Sequence, residues 1–308
     1  MARKRRGTPI HGWIVIDKPP GLTSSAVVGR VKRLTGAAKV GHAGTLDPLA
    51  TGVLPMALGE ATKTVAYLMD GRKAYCFTVR WGEARDTDDA EGAVTAVSDT
   101  RPTTAEIEAV LGRFRGSIEQ VPPAFSAIKV GGRRAYALAR GDAAPALSAR
   151  TVQIHDLTLK AMPDRDHAEF EAVSGKGAYM RSLARDLAVA LGTVGHVSAL
   201  RRTAVGPFHE SQAISLDKLE SLGHSAPLSG HLLPVETVLD DIPALALTER
   251  EARKLSHGQA IPVLPVASRS PFKNIGQGDV VRAMVEGRLV ALAKIKGGEI
   301  RPFRVINL

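Results

Sequence analysis

The sequence predicts an α+β chain built on a largely antiparallel sheet flanked by helices, with a small basic β module at its C-terminal end. Three observations carry that expectation. Strand-like alternation and helical stripes follow one another without the regular βαβ order that a parallel sheet requires. A stretch rich in Ser, Gly and Pro at residues 221–230 interrupts the pattern. Beyond it, three short strand-like runs follow in succession, separated by Gly-containing turns.

Taken in order, residues 1–8 read as a flexible basic arm. Residues 13–16 form a short apolar strand that runs into Asp17-Lys18-Pro19-Pro20-Gly21, a turn whose prolines and glycine exclude regular structure. A helix is expected over 24–34, because Val27, Val31 and Leu34 share a face and Gly36 is a natural stop. Residues 75–81 alternate as a strand with Tyr75, Phe77, Val79 and Trp81 on one side. Thr103 and Glu106 make a capping box, and Ile107, Val110, Leu111 and Phe114 supply the stripe of the helix it opens. Strands are expected at 125–130, 152–159 and 169–174, then a helix at 179–191 between Gly177 and Gly192. Past the linker, Thr248 and Glu251 cap a short helix ending before Gly258, and 279–285, 289–295 and 300–306 read as strands. The expected organisation is the arm at 1–8, a main domain at 9–240 and a small β-barrel module at 241–308.

The 308 residues carry 41 Lys+Arg against 31 Asp+Glu, a net charge of +10, and the module alone holds 11 against 6. That balance favours a polyanionic partner, RNA or DNA ahead of an anionic membrane, over a merely soluble surface. At 4% aromatic, the chain lacks residues for a long base-stacking platform, which leaves phosphate contacts by Arg and Lys as the grip. Apolar residues at 44% and charged residues at 23% exclude a disordered or fibrous chain. The longest uncharged stretch of note, 187–200, has 14 residues, short of the roughly 20 that a membrane span needs. The basic start is followed only by the short run at 13–16, which is no signal-peptide core. Cys76 is the sole cysteine, so neither an intrachain disulfide nor a cysteine zinc site can form. A soluble, cytoplasmic, monomeric protein is expected.

Chemistry concentrates in residues 41–52, Gly41-His42-Ala43-Gly44-Thr45-Leu46-Asp47-Pro48-Leu49-Ala50-Thr51-Gly52. Its glycines let backbone approach a ligand closely. Asp47, the one carboxylate there, can serve as nucleophile or general base. It can equally be a helix N-cap with Pro48 at the first helical position. Asp86, Asp88 and Asp89 offer oxygens to a divalent metal, or else form a polar turn after a strand. Met180, Ala184, Leu187 and Leu191 bury one face of the 179–191 helix, while Arg181 and Arg185 fall on another. An Arg in a first turn opposes the helix dipole, which points to an anionic partner, a phosphate or a carboxylate, unless the side chain is simply solvated.

Several stretches together, in order over almost the whole chain, resemble the bacterial tRNA pseudouridine synthase B family. They are Ile14-Val15-Ile16-Asp17-Lys18-Pro19-Pro20-Gly21, the 41–52 loop, Leu58-Gly59-Glu60-Ala61-Thr62-Lys63 and Asp86-Thr87-Asp88 with Gly92. Gln120-Val121-Pro122-Pro123, the run 175–181 and Leu200-Arg201-Arg202-Thr203 leading to Val205-Gly206-Pro207 complete the set. The resemblance implies the pseudouridine-synthase fold with a PUA-like RNA-binding domain as its tail. It implies an isomerase that breaks the glycosidic bond of uridine-55 in the tRNA T-loop and rejoins C1′ to C5, with no cofactor and no metal. Asp47 matches the catalytic aspartate, Tyr75 the tyrosine packed on the base, and His42 the loop histidine. Tyr179 and Leu200 match uridine-pocket positions, and Arg181 the arginine that pairs with the aspartate. Such a pairing is expected to lower the Asp47 pKa and keep it ionised. Lys18-Pro19 is expected to shape the fold, and Asp86 with Asp88 to be a structural turn. Thr45 stands where some relatives have Ala, without consequence for the mechanism. The rival reading is an RNA-binding or RNA-folding protein in which catalysis is secondary.

Overall fold

The computed structural model describes residues 7–126, 129–130, 133–134, 147–222, 228–270 and 276–308. Its main body is a ten-stranded sheet. The strands are β1 (Gly12–Lys18), β2 (Val40–His42), β3 (Thr51–Leu58) and β4 (Lys73–Trp81), then, after a separate hairpin of β5 (Glu83–Arg85) and β6 (Val94–Val97), β7 (Gly116–Gln120). A second small pair, β8 (Lys129–Val130) and β9 (Arg133–Arg134), precedes β10 (Arg150–Asp164), β11 (His167–Ser174), β12 (Gly195–Val205), β13 (Phe208–His209) and β14 (Ile214–Ser215). Spatial order is β14-β1-β3-β12-β4-β11-β10-β7, with β2 beside β3 and β13 beside β12. Pairing is antiparallel except for β1 with β14 and β3 with β12.

The apolar run at 13–16 is explained by burial on both faces of β1. Ile14 and Ile16 enter a first core, shared by α1 (Ser24–Thr35), α3 (Thr104–Leu111) and α4 (Met180–Ala190) with Phe77, Val79, Trp81 and Phe170. Phe77 and Phe170 stack there with centroids 5.3 Å apart. Trp13 and Val15 enter a second core with Leu68 of α2 (Val65–Asp70), Phe208, Val235 and Leu239. Leu289, Leu292 and Ile306 reach the same core from the C-terminal sheet.

That second sheet has the order β15-β17-β18-β19-β16, from β15 (Ala244–Ala246), β16 (Ile261–Pro262), β17 (Val280–Val285), β18 (Arg288–Lys296) and β19 (Glu299–Val305). It is open among the described residues, a half-barrel, with two short strands added to the three foreseen. Lys63 ties it to the body by donating to the Val305 carbonyl (2.7 Å), and Glu60 accepts from the Asn307 amide (2.8 Å).

The caps form as their sequence chemistry dictates. Thr23 Oγ1 accepts from the Ala26 amide, Gly36 ends α1 in the left-handed region at φ 65°, and both capping boxes close. Three expectations need correction. Residues 125–126 are not strand, and 127–128 lie outside the described residues, as do 1–6 of the arm and 223–227 of the linker. Thr8 is not loose: its amide donates to the Gly36 carbonyl at 2.8 Å. No helix starts at Pro48; the chain turns, with the Ala50 amide on the Asp47 carbonyl, and enters β3. Among the described residues, no helix is long and apolar enough to cross a membrane.

The parallel contact of β3 with β12 fixes where the site lies, because it joins Thr51 and Gly52 at the end of the 41–52 loop to Arg201 and Arg202. Gly52 has φ 95°, and a Cβ there would stand 2.2 Å from the Arg202 carbonyl oxygen. Gly52→Ala is expected to cost at least about 3 kcal/mol of unfolding free energy in urea melts, since both the φ and the contact forbid a side chain.

Candidate active site

The loop from Ala43 to Ala50 leaves β2 and returns along β3, so its own amides and carbonyls have few ladder partners. Buried side chains replace them. Ser24 at the start of α1 accepts from the Leu46 amide (2.8 Å) and donates to the Leu46 carbonyl (2.9 Å). Lys18 Nζ donates to the carbonyls of Pro19 (2.8 Å), Leu22 (2.8 Å) and Pro48 (3.0 Å), and burial pulls its pKa down to about 8. Arg202, 1% exposed, donates to Val53 (2.8 Å), Gly44 (3.1 Å) and Thr45 (3.4 Å) carbonyls. Gly44 adopts φ 89°, open to glycine at little cost, which turns its carbonyl onto that guanidinium.

Arg181 holds the far side. Its Nε lies 2.9 Å from Asp47 Oδ2, and its NH1 lies 3.4 Å from Asp89. It also donates to the Thr87 (2.8 Å) and Phe125 (2.9 Å) carbonyls. Arg181 is 3% exposed, so in the free protein its partners are carboxylates and carbonyls of the chain itself. Arg185, one turn on, takes Asp88 at 2.8 Å. The acidic stretch is therefore a polar turn: Asp86 accepts from the Ala93 amide, Asp88 sits at φ 59°, and Asp89 accepts from Thr87 Oγ1 and the Glu91 amide. Both helix arginines clamp that turn.

Burial raises the Asp47 carboxyl above its ordinary value, and the Asp89 charge pushes the same way, while Arg181 and Lys18 pull it back. The expectation that Arg181 sets the direction is thus corrected: desolvation wins. Burial and Arg202 pull His42 down, which keeps its imidazole neutral at pH 7. The Tyr179 hydroxyl is held up by burial and by the Asp47 charge.

Asp47 lies where two cavities meet. The larger, about 810 Å³, is lined by His42, Arg181, Asp89, Thr23 and Phe125 among others. The smaller, about 290 Å³, is walled by Tyr75, Tyr179, Leu200 and Met180 over Lys73 and Arg202. The expected residues therefore divide: Tyr75, Tyr179 and Leu200 share the small cavity with Asp47, whereas His42 stands on the other side of it. Tyr75 is 9% exposed, and its hydroxyl lies against Arg202. Gln120 pins Tyr179 by accepting from its amide (2.8 Å) and donating to its carbonyl (3.1 Å). A lone carboxylate beside an aromatic-walled slot can act as nucleophile or base on a flat ring.

Residue-type reasoning missed Arg202, Lys73, Gln120 and the role of Asp89. Arg201-Arg202 looks like a phosphate grip. Strand alternation is the signal that separates them: Arg202 shares the inward side with Leu200, and Arg201 faces out to Asp17 and Glu210, both at 3.0 Å.

The TruB family pseudouridylate synthase (N terminal domain) model matches residues 32–180, and the tRNA pseudouridylate synthase B C-terminal domain model matches 181–240. The tRNA pseudouridine synthase B of Rhodospirillum rubrum is 62% identical over 308 residues, covering 100% of both chains. That of Gluconacetobacter diazotrophicus is 57% identical over 305 residues, 99% of this chain and 100% of the other. Among solved structures, the archaeal box H/ACA sRNP Nop10-Cbf5 complex superposes with a TM-score of 0.71 at 25% identity, over 99% of this chain and 92% of that one.

The raised Asp47 pKa has a testable sign. Between its unfolded and folded values the native state holds the extra proton, so this group removes stability as pH rises through the folded value. Asp47→Asn mimics the protonated form. Its unfolding free energy relative to wild type is expected to rise from pH 4 toward pH 8 in urea melts. The opposite trend would show that Arg181 outweighs burial.

Proposed function

The chain belongs to the TruB family of pseudouridylate synthases, and from that premise we propose that it converts uridine-55 in the T-loop of tRNA to pseudouridine. The reaction breaks N1–C1′ and makes C5–C1′; the ring loses a proton at C5 and gains one at N1, so no oxidant, water or cofactor enters the balance. Asp47 is assigned as the catalytic carboxylate. The observation that carries the assignment is its position in the wall of a cavity of about 290 Å³ shared with Tyr75 and Tyr179, held there by a buried arginine.

The target base is stacked within its loop, and extruding it costs a few kcal/mol. Cover by the Tyr75 ring returns about 1–3 kcal/mol of that. Tyr179 and Leu200 are assigned to the rest of the uridine pocket, Arg181 to holding and charging Asp47, and His42, across the carboxylate, to the RNA outside the pocket. Residues 241–308 are assigned as a PUA-like RNA-binding domain. Lys294 lies 5.7 Å over the Phe303 ring there, and Arg288, Lys296 and Arg301 surround the same two strands. A protein that only bound or folded RNA would gain nothing from an anion aimed at a polyanion.

Asp47→Asn is expected to abolish pseudouridine formation in a T-stem-loop transcript while leaving affinity within about tenfold, or 1.4 kcal/mol. Turnover by that variant would remove Asp47 from the chemistry. Because the ionised form works, the acid limb of the wild-type rate should lie above the ordinary carboxylate range, and Arg181→Met should move it higher still. A limb unmoved by that change would detach Arg181 from the reacting carboxylate.

A further inference from the structure

Lys73 is a buried cation to which the proposed reaction assigns no task. It is 8% exposed and stands two residues before Tyr75 on the inward face of β4, about 7 Å along the strand. It lines the 290 Å³ cavity together with Asp47, Tyr75, Tyr179 and Leu200. Its Nζ donates to the Met69 (2.9 Å) and Gly71 (2.7 Å) carbonyls, where α2 ends. An ammonium has three N–H groups, and this one makes no third hydrogen bond among the described residues.

Lys18 is the instructive contrast. All three of its N–H groups meet carbonyls, so it has nothing left to offer a ligand. Lys73 retains one donor, and the residue lines the cavity. The charges around it are Arg202 and Lys176, both positive, and Asp70, which is itself engaged by Lys176 at 2.7 Å. Burial and Arg202 pull the Lys73 pKa down to about 8, the mark of an ammonium short of solvation.

A ring stacked on Tyr75 would sit in the cavity that Lys73 also lines. The uracil edge carries two carbonyl oxygens that only accept. When N1–C1′ breaks with its electron pair left on the ring, those oxygens share the negative charge. We infer that Lys73 donates its remaining N–H to a carbonyl oxygen of the target uracil, orienting the ring and stabilising the charge it carries between bond breaking and bond making. The inference rests on the function proposed above. If the contact is to O4, the same residue also rejects cytidine, whose amine at that position is itself a donor.

The test is a set of single-turnover rates at saturating RNA for wild type, Lys73→Met and Lys73→Arg. The stem-loops carry uridine, 2-thiouridine or 4-thiouridine at the target, because sulfur accepts poorly. Lys73→Met is expected to slow uridine by about a hundredfold, as loss of one charge-stabilising donor does elsewhere. RNA affinity should stay within about threefold. Sulfur at the contacted oxygen should slow wild type yet add no further loss to the Met variant, the non-additivity of a broken direct contact. A purely structural role at the end of α2 gives losses that multiply for both thio-substrates, and that result overturns the inference. If the Met variant fails to fold, Lys73→Arg in the same cycle decides: reduced sensitivity to one sulfur supports the contact, and unchanged sensitivity to both overturns it. Wild type inactive on every uridine RNA would instead overturn the proposed function, and this inference with it.

Discussion

The loop that carries Asp47 is held by buried cations rather than by a ladder. Lys18 from β1, Arg202 from β12 and Arg181 from α4 reach it from three directions and meet carbonyls or carboxylates there. Each carbonyl so paired is one that an isolated loop would leave to water. The arrangement lets the loop stay irregular, with a carboxylate turned into a cavity, while its backbone is as constrained as that of a strand. It also makes the site a property of the whole sheet, because a shift of β1, β12 or α4 moves a cation and the loop with it.

The sheet is suited to that task. β12 pairs antiparallel with β4 and parallel with β3, so one strand presents Leu200 and Arg202 to the cavity and locks against Gly52. Because β1 is buried on both faces, the helical core and the core shared with the C-terminal half-barrel press on the same strand. Glu60 and Lys63 fasten the half-barrel at β19 and the residues just after it. The C-terminal sheet is thus packed into the body, and removing it would uncover Trp13, Val15 and Phe208.

Much of this was legible in the sequence where local chemistry decides. Thr23, Gly36 and the two capping boxes mark real helix ends, and alternation placed Tyr75, Phe77, Val79 and Trp81 on one inward face. The carboxylate in a glycine-rich loop stood out as well. What the sequence concealed depends on tertiary burial. In a chain of net charge +10, an arginine or lysine reads as surface, yet Arg202, Lys18 and Lys73 are interior. The direction of the Asp47 shift was hidden for the same reason, since Arg181 is visible in the sequence and desolvation is not. Pro48 after Asp47 imitates a helix start, but the return into β3 leaves no room for one.

Interior cations have a consequence that surface charges lack. Mobile ions cannot enter around Arg202, Lys18 or Arg181, so salt screens their field far less than that of the exposed basic groups. The molecule therefore separates two electrostatic regimes. Exposed lysines and arginines govern how fast a polyanion arrives, and that attraction fades with ionic strength. The field felt at the carboxylate is set by buried charge and stays nearly constant. Crowded or saline surroundings would alter how often the protein is occupied, while what happens to each captured strand would proceed at an almost unchanged pace.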